Sequence, residues 1–343
     1  MKITLQSIAN QLGVSTTTVS RVLSGQSKKY RISPTTEELI RETASELGYI
    51  PDQMAKGLRM RRSYTIGLII PDISNPFFSM VVRSIEREAR RSGYAIILSD
   101  TQETTQLESE AIRLLQSRKV DGFIIFPVGG KTKHLISLVQ AESPVVIADR
   151  YSKDLKCPFV ISDNYRGAFE ATTHLLEQNH RNIACIQGRP GTTVSDDRVR
   201  GYRDALEQYN IPESDQLIVG DSFGEANGYV SAKLLLSRES RPTAFFLCSN
   251  LISLGAMRAT FEEGLKIPED ISMISFDDQP YSEYLATPMT VVAQQTREMG
   301  QIILKLLMVQ INNDAPTRSE GVVLPTKLIY RKSVIKAKLK QSP

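Results

Sequence analysis

Thr16, Thr17, Ser20 and Arg21 fall beside one another at helical spacing and make a face of short hydroxyls and one guanidinium with no acid. Such a face suits the DNA major groove, where hydroxyls reach phosphates or base edges and arginine forks onto guanine O6 and N7. A small soluble helical hairpin whose threonines face water is the competing reading. A second set of residues stands where strands should end: Asp72, Ser74, Asn75, Phe77 and Phe78, then Asp149 and Arg150, Arg198, Phe223, Asn250, Asp277 and Asp278, and Gln294. Carboxylates and amides bond to vicinal hydroxyls, Arg198 can fork across two of them, and an aromatic ring stacks on a sugar face, so the mixture suits a neutral polyol. Plain structural roles compete here too. Asn75 before Pro76 and Asp163 after Ser162 can be helix caps, Phe77 and Phe78 can be half core, and Asp277-Asp278 can open a turn.

No catalytic constellation accompanies these residues. GxGxxG, Walker and GxSxG patterns are missing, Gly188-Arg-Pro-Gly191 is too short a signal for phosphate binding, and the acids lack a nucleophile with a histidine partner. Cys157, Cys185 and Cys248, with His134, His174 and His180, show no CxxC, HxxxH or HExxH spacing. The expectation is buried thiols, no metal and no cofactor.

Two kinds of element position the residues. Leu5, Ile8, Ala9 and Leu12, then Val19, Val22 and Leu23, are apolar stripes of two short helices meeting at Gly13-Val-Ser15: a helix-turn-helix, with Gly13 ending one helix and Ser15 capping the next. Lys28, Lys29 and Arg31 lie in a loop that can touch phosphates or simply be solvated. Ser33-Pro34 opens a third helix with Leu39, Ile40, Ala44 and Leu47 facing inward and Gly48 at its end. From Tyr64 the pattern becomes short apolar strands (65–70, 95–98, 122–126, 145–148, then 183–186, 217–219, 243–247, 272–276) alternating with helices near 76–92, 106–117, 131–141, 197–208, 226–236 and 251–263. Continuous apolar strands between helices predict parallel sheets covered on both faces, and the repetition predicts two doubly wound halves with a cleft between them.

Charge is distributed unevenly over the 343 residues. Residues 1–63 hold ten Lys/Arg against five Asp/Glu, residues 64–330 hold 27 against 33, and residues 331–343 hold five against none. A basic module on a mildly acidic body fits polyanion binding by that module. No apolar run reaches membrane-spanning length and the start lacks a signal-peptide core, so a cytoplasmic protein is expected. Between the two parts, residues 52–58 have too little apolar surface to be a stable helix alone, and Gly57 weakens it further. Ala55 and Leu58 share a face flanked by Lys56 and Arg59, the makings of a minor-groove wedge that orders on binding.

At these motifs the chain resembles the LacI/GalR (lactose repressor) family. The resemblance rests on Ile8-Ala, Gly13-Val-Ser15, Thr18-Val-Ser-Arg21-Val, Arg31-Ile-Ser, Leu47-Gly-Tyr-Ile-Pro51 and Ala55-Lys-Gly-Leu58, and the α/β part is similar to that family's periplasmic-binding-protein-like core. It implies Thr16, Thr17 and Arg21 at base-reading positions, Leu58 as the intercalating residue, and Asp149, Arg198, Phe223, Asn250, Asp277 and Gln294 at effector-binding positions. Asp52 and Lys56 replace the family's usual asparagine and arginine, and Leu251 its usual aspartate.

The fold expected is a small all-α helix-turn-helix headpiece (1–50), a hinge helix and linker (51–63), an α/β core of two doubly wound parallel-sheet subdomains (64–330), and a basic tail (331–343). The function expected is a sugar-responsive transcription regulator of repressor type, a homodimer on near-palindromic double-stranded DNA, since two half-sites demand two headpieces at fixed spacing. The tail is too short for a tetramerising zipper. A solute receptor and a two-domain α/β enzyme are the alternatives. The missing signal peptide and the basic headpiece argue against the first, and the second would require turnover in the cleft.

Overall fold

Apolar periodicity in the first fifty residues closes three helices on one small core. The structure, a computed structural model, describes residues 3–49, 62–130, 132–212, 214–312 and 321–337. The chain separates into two units, Met1–Ser63 and Tyr64–Pro343. In the first, α1 (Leu5–Leu12), α2 (Thr16–Leu23) and α3 (Pro34–Glu46) bury Ile8, Ala9, Val19, Val22, Ile40 and Ala44 against one another. Thr4 caps α1 by accepting from the Ser7 amide, Gly13 turns left-handed at φ 66° to end it, and the Ser15 hydroxyl accepts from the Thr18 amide at 3.0 Å to start α2. One assignment is corrected: Leu39 is 50% exposed, and Thr43 joins Ile40 and Ala44 on the inner face of α3. The expected hinge contacts Ala55, Lys56 and Leu58 lie outside the described residues.

The second unit is two α/β lobes. In the first lobe β1 (Thr65–Ile70), β2 (Ala95–Asp100), β3 (Gly122–Ile125), β4 (Val145–Ala148), β5 (Phe159–Ser162) and β11 (Gly321–Leu324) form a parallel sheet in the order β11-β5-β4-β3-β1-β2. Helices α4 (Pro76–Arg91), α5 (Thr105–Ser117), α6 (Lys133–Gln140) and α11 (Thr296–Asn312) cover its faces, which carry separate apolar clusters. The second lobe repeats the plan with β6 (Ile183–Ile186), β7 (Ile218–Val219), β8 (Ala244–Leu247), β9 (Ser272–Phe276), β10 (Thr290–Ala293) and β12 (Lys327–Ile329), ordered β12-β10-β9-β8-β6-β7. Its helices are α7 (Asn164–Glu177), α8 (Thr193–Gln208), α9 (Glu225–Leu236) and α10 (Asn250–Glu262), and only the β10–β12 pair is antiparallel. Both lobes therefore reverse strand order next to their first strand, and their carboxyl ends can share a ligand.

The chain passes between lobes after β5, after β10 and after β11. These crossings touch: the Asp163 amide donates to the Leu324 carbonyl at 2.8 Å, and Gln295 Nε2 donates to the Pro325 carbonyl at 3.0 Å. The final segment is corrected as well. Arg331, read as the first residue of a basic tail, makes a two-pronged ion pair with Asp278 at 2.9 and 3.0 Å, and Ser333 is buried with its hydroxyl donating to the Met273 carbonyl. Residues 331–337 belong to the second lobe. All three cysteines are buried thiols, and among the described residues no helix is long and apolar enough to cross a membrane.

Candidate functional site

On the headpiece, burial of Val19 and Val22 turns the opposite side of α2 outward. Thr17 is exposed there and Thr16, Ser20 and Arg21 are partly exposed, with exposed Lys28 and Lys29 in the following loop. Tyr30, which the sequence reading passed over, changes the picture of Arg21: the guanidinium carbon lies 3.8 Å from the centre of the tyrosine ring. A cation held on an aromatic face loses less freedom when it docks, so Tyr30 preorganises Arg21.

In the core, Asp149 and Asp277 occupy equivalent places. Each comes directly after the last residue of an inner strand, β4 or β9, and each donates its amide to a carbonyl of the neighbouring strand, Val160 of β5 and Val292 of β10, at 2.9 Å. Each is also left-handed, at φ 65° and 73°. Non-glycine residues avoid this region, and strain of this kind collects at functional sites. The two turns bring both carboxylates to one small inter-lobe pocket, whose wall also includes Asn75, Phe77, Phe78, Arg150, Arg198, Phe223 and Gln294. Its free volume is ≈ 20 Å³, room for about one water, so a sugar ring enters only if the lobes part.

Arg198 is the best-held of these groups. The sequence reading put it at the start of a helix, but α8 begins at Thr193, so Arg198 sits in the second turn and points under the cleft. Nε donates to Asn164 Oδ1 at 2.9 Å, Nη1 donates to the Cys248 carbonyl at 2.6 Å, and the guanidinium lies 3.5 Å above the Phe276 ring centre. Gln294 donates from Nε2 to Asp277 Oδ1 at 2.6 Å and accepts from the Ser162 hydroxyl with its own oxygen. Asn250 reaches across the lobes, its Nδ2 donating to Asn75 Oδ1 at 3.1 Å, while that same oxygen caps α4 by accepting from the Phe77 amide.

Arg150 behaves differently from a free ligand group. Both terminal nitrogens bond Glu103 at 2.6 Å, Nη1 also donates to the Val128 carbonyl at 2.9 Å, and the guanidinium stands 4.9 Å from the Phe223 ring centre of the other lobe. It is a wall and a lobe-to-lobe contact. Phe77 and Phe78 are largely core, stacked edgewise on each other and, for Phe78, on Phe126. Asp72 accepts from Ser74 in a surface turn, Asp163 caps α7, and Asp278 is taken by Arg331.

Burial governs the electrostatics. It pushes the Asp149 carboxyl up to about 6 from its ordinary 3.8, with Arg150 and Arg198 opposing, and it raises Asp277 against the pull of Arg198 and Gln294. It also lowers Arg198, opposed by the two aspartates. The pocket thus sets two carboxylates and a guanidinium, each short of solvent, around one space. Hydroxyls can donate to the first and accept from the second.

The family profile described as bacterial regulatory proteins, lacI family, matches residues 4–52, and that of a periplasmic binding protein-like domain matches residues 172–334. The HTH-type transcriptional regulator DegA of Bacillus subtilis (strain 168) is 34% identical over 97% of this chain and 98% of its own length. Among solved structures, a lac repressor dimer bound to operator and the anti-inducer ONPF matches with a TM-score of 0.86 at 26% identity, covering 98% of this chain and 100% of that one. A LacI family transcriptional regulator from Enterococcus faecium with bound ribose matches with a TM-score of 0.72 at 32% identity, over 80% of this chain and 100% of that one.

Proposed function

The chain belongs to the lacI family of bacterial regulatory proteins, and from that premise we propose that its operator affinity is set by a small sugar-like effector held between the core lobes. It is a DNA-binding transcription regulator whose headpiece, residues 1–50, reads bases with Thr16, Thr17, Ser20 and Arg21 and phosphates with Lys28 and Lys29. Residues 51–63 connect the headpiece to the core, with Ala55, Lys56 and Leu58 facing the minor groove. The core, residues 64–337, takes the effector against Asp149, Arg198, Phe223, Asn250, Asp277 and Gln294. The observation that carries this reading is the pair of left-handed aspartates, one from each lobe, converging on one pocket beside Arg198. Such a ligand has different contacts in open and closed lobes, and only a difference of that kind can shift a conformational equilibrium.

The working unit is a homodimer in the cytoplasm. Val230 and Leu234 on α9, Leu254 and Phe261 on α10, and Tyr284 on the loop between β9 and β10 are exposed apolar side chains of the second lobe. An apolar groove of ≈ 490 Å³ between α10 and residues 285–289 adjoins them. A patch of this kind supports a self-complementary interface that holds two headpieces over two half-sites.

Regulation, solute capture and turnover are separated by one experiment. Operator is selected from random DNA with the purified protein, sugars are screened by thermal shift, and a sugar that binds is added to the operator titration. The expected result is a shift in operator affinity with the sugar recovered unchanged. Conversion of the sugar, or binding without any effect on DNA, would overturn the proposal.

A further inference from the structure

The Gly188-Arg-Pro-Gly191 turn, too short a signal for phosphate binding, has a different part to play on the seam between the lobes. It joins β6 to α8 and is tied to the helix start: the Thr192 hydroxyl donates to the Arg189 carbonyl at 2.7 Å, and the Gly191 amide donates to Asp196 Oδ1 at 2.9 Å. Arg189, exposed on this turn, reaches the other lobe, where its Nη1 donates to the Glu103 carbonyl at 3.1 Å. The residue before it, Gly188, lies so close to the Phe223 ring that a Cβ would not fit.

Glu103 stands in the turn after β2, where Gln102 and Glu103 are both left-handed, at φ 49° and 55°. Non-glycine residues avoid that conformation, and it collects at functional turns. The Glu103 carbonyl takes Arg189, its carboxylate takes both terminal nitrogens of Arg150 at 2.6 Å, and the Arg150 guanidinium stands 4.9 Å from the centre of Phe223. The contacts therefore close a ring that crosses the seam twice, from Arg189 to Glu103, through Arg150 to Phe223, and back through Gly188. Arg150 and Phe223 are also walls of the effector pocket, which in this clasped arrangement has ≈ 20 Å³ of free volume, room for about one water. An intact ring and a sugar in the pocket exclude one another. Arg189 is exposed and the Glu103 side chain is 31% exposed, so their bond exchanges for water at small net cost, as a contact that opens and re-forms requires.

We propose that Glu103 and Arg189 form an autoinhibitory clasp: they hold the empty cleft shut, keep Arg150 and Phe223 together across the seam, and part when the effector enters. The competition with the effector rests on the sugar reading of the cleft, and the clasp itself does not. A ligand sees only the fraction of molecules competent to bind it, so the clasp weakens apparent affinity by that fraction and its release strengthens binding.

The test compares the full-length wild type with Arg189→Ala, which removes the hook, and Arg189→Lys, which keeps a cationic donor. Amide hydrogen exchange without sugar reads the seam through Tyr151, whose amide donates across it to Thr193 Oγ1 at 3.3 Å. Tyr151 exchanges about threefold to tenfold faster in Arg189→Ala, as expected for loss of one hydrogen bond, and at the wild-type rate in Arg189→Lys, while β1 and β8 inside the lobes are unchanged. Unchanged exchange at Tyr151 in Arg189→Ala, acceleration that spreads through β1 and β8, or no rescue by lysine overturns the clasp. Thermal-shift titration with ribose, glucose and galactose follows. A sugar that stabilises the wild type reaches half-saturation at a lower concentration in Arg189→Ala, by a similar factor, and an equal or higher concentration overturns the autoinhibition. A wild type and variants stabilised by none of the three count against the sugar reading of the cleft, and the exchange result still decides the clasp.

Discussion

Asp149 links pH to both stability and ligand. Its folded pKa, about 6, lies above the ordinary 3.8, so folding favours the protonated carboxyl. The associated stability is fully present below about pH 4 and is lost as pH rises through about 6. Asp149→Asn, which keeps the shape without the charge, is expected to stabilise the core by up to roughly 3 kcal/mol near pH 8 and little near pH 4, read from urea unfolding at the two pH values. A ligand hydroxyl donating to the ionised carboxylate acts in the opposite sense, so effector affinity falls as pH drops below about 6, and the pH dependence disappears in Asp149→Asn. Arg21 gives the matching prediction on the headpiece: Arg21→Ala costs about 1–3 kcal/mol on a selected operator and relaxes specificity at one position of each half-site. Equal loss on cognate and random DNA would make Arg21 a phosphate contact instead. The polar residues themselves were legible in the sequence because they follow apolar strands or stand on one face of a short helix. Their holders were not. Tyr30 under Arg21 is in an irregular loop, and Asn164 and Glu103 reach Arg198 and Arg150 across 34 and 47 residues, a pairing that no local pattern announces.

The helices α9 and α10 cross through glycines. A Cβ on Gly228 would stand 2.0 Å from the Ile252 carbonyl oxygen, and one on Gly255 2.0 Å from that of Glu225. Backbone cannot yield as a flexible side chain does, so Gly255→Ala pushes the helices apart at a cost of about 1–3 kcal/mol, more than the helix propensity it gains. Because these helices also carry Val230, Leu234, Leu254 and Phe261, the variant should melt several degrees lower and sediment with more monomer. Arg331 belongs to the same scale: removing it leaves Asp278 half-enclosed and without its pair, and Arg331→Ala is expected to lose roughly 2 kcal/mol and to weaken effector binding through Asp277 next door. Most of the alternating strands and helices up to β9 could be read from periodicity, but β5 was missed and α7 was signalled only by its cap, Asp163. The second crossing and everything after it could not, because a long turn-rich segment separates β9 from β10, β11 pairs with β5 in the other lobe, and β12 runs against its neighbour. The docked residues 331–337 looked like a tail for the same reason, their charges being visible and their partners distant in sequence.

In the whole molecule, the effector in the cleft and the operator at the headpiece are coupled binding equilibria of one dimer. Coupling of this kind is reciprocal, so the factor by which sugar changes operator affinity equals the factor by which operator changes sugar affinity, typically about 5- to 150-fold. Its dependence on the cleft is what distinguishes it from an incidental effect of sugar on the protein. Asp277 is remote in sequence from the headpiece, and its carboxylate faces the pocket with Gln294. The most direct measurement is operator affinity with and without the screened sugar, in wild type and in Asp277→Ala, under the same salt. The expected result is a sugar-dependent shift in the wild type, operator affinity without sugar within a few fold in the variant, and no shift when sugar is added to the variant. A full sugar response in Asp277→Ala, or sugar binding in the wild type that leaves operator affinity untouched, would contradict it.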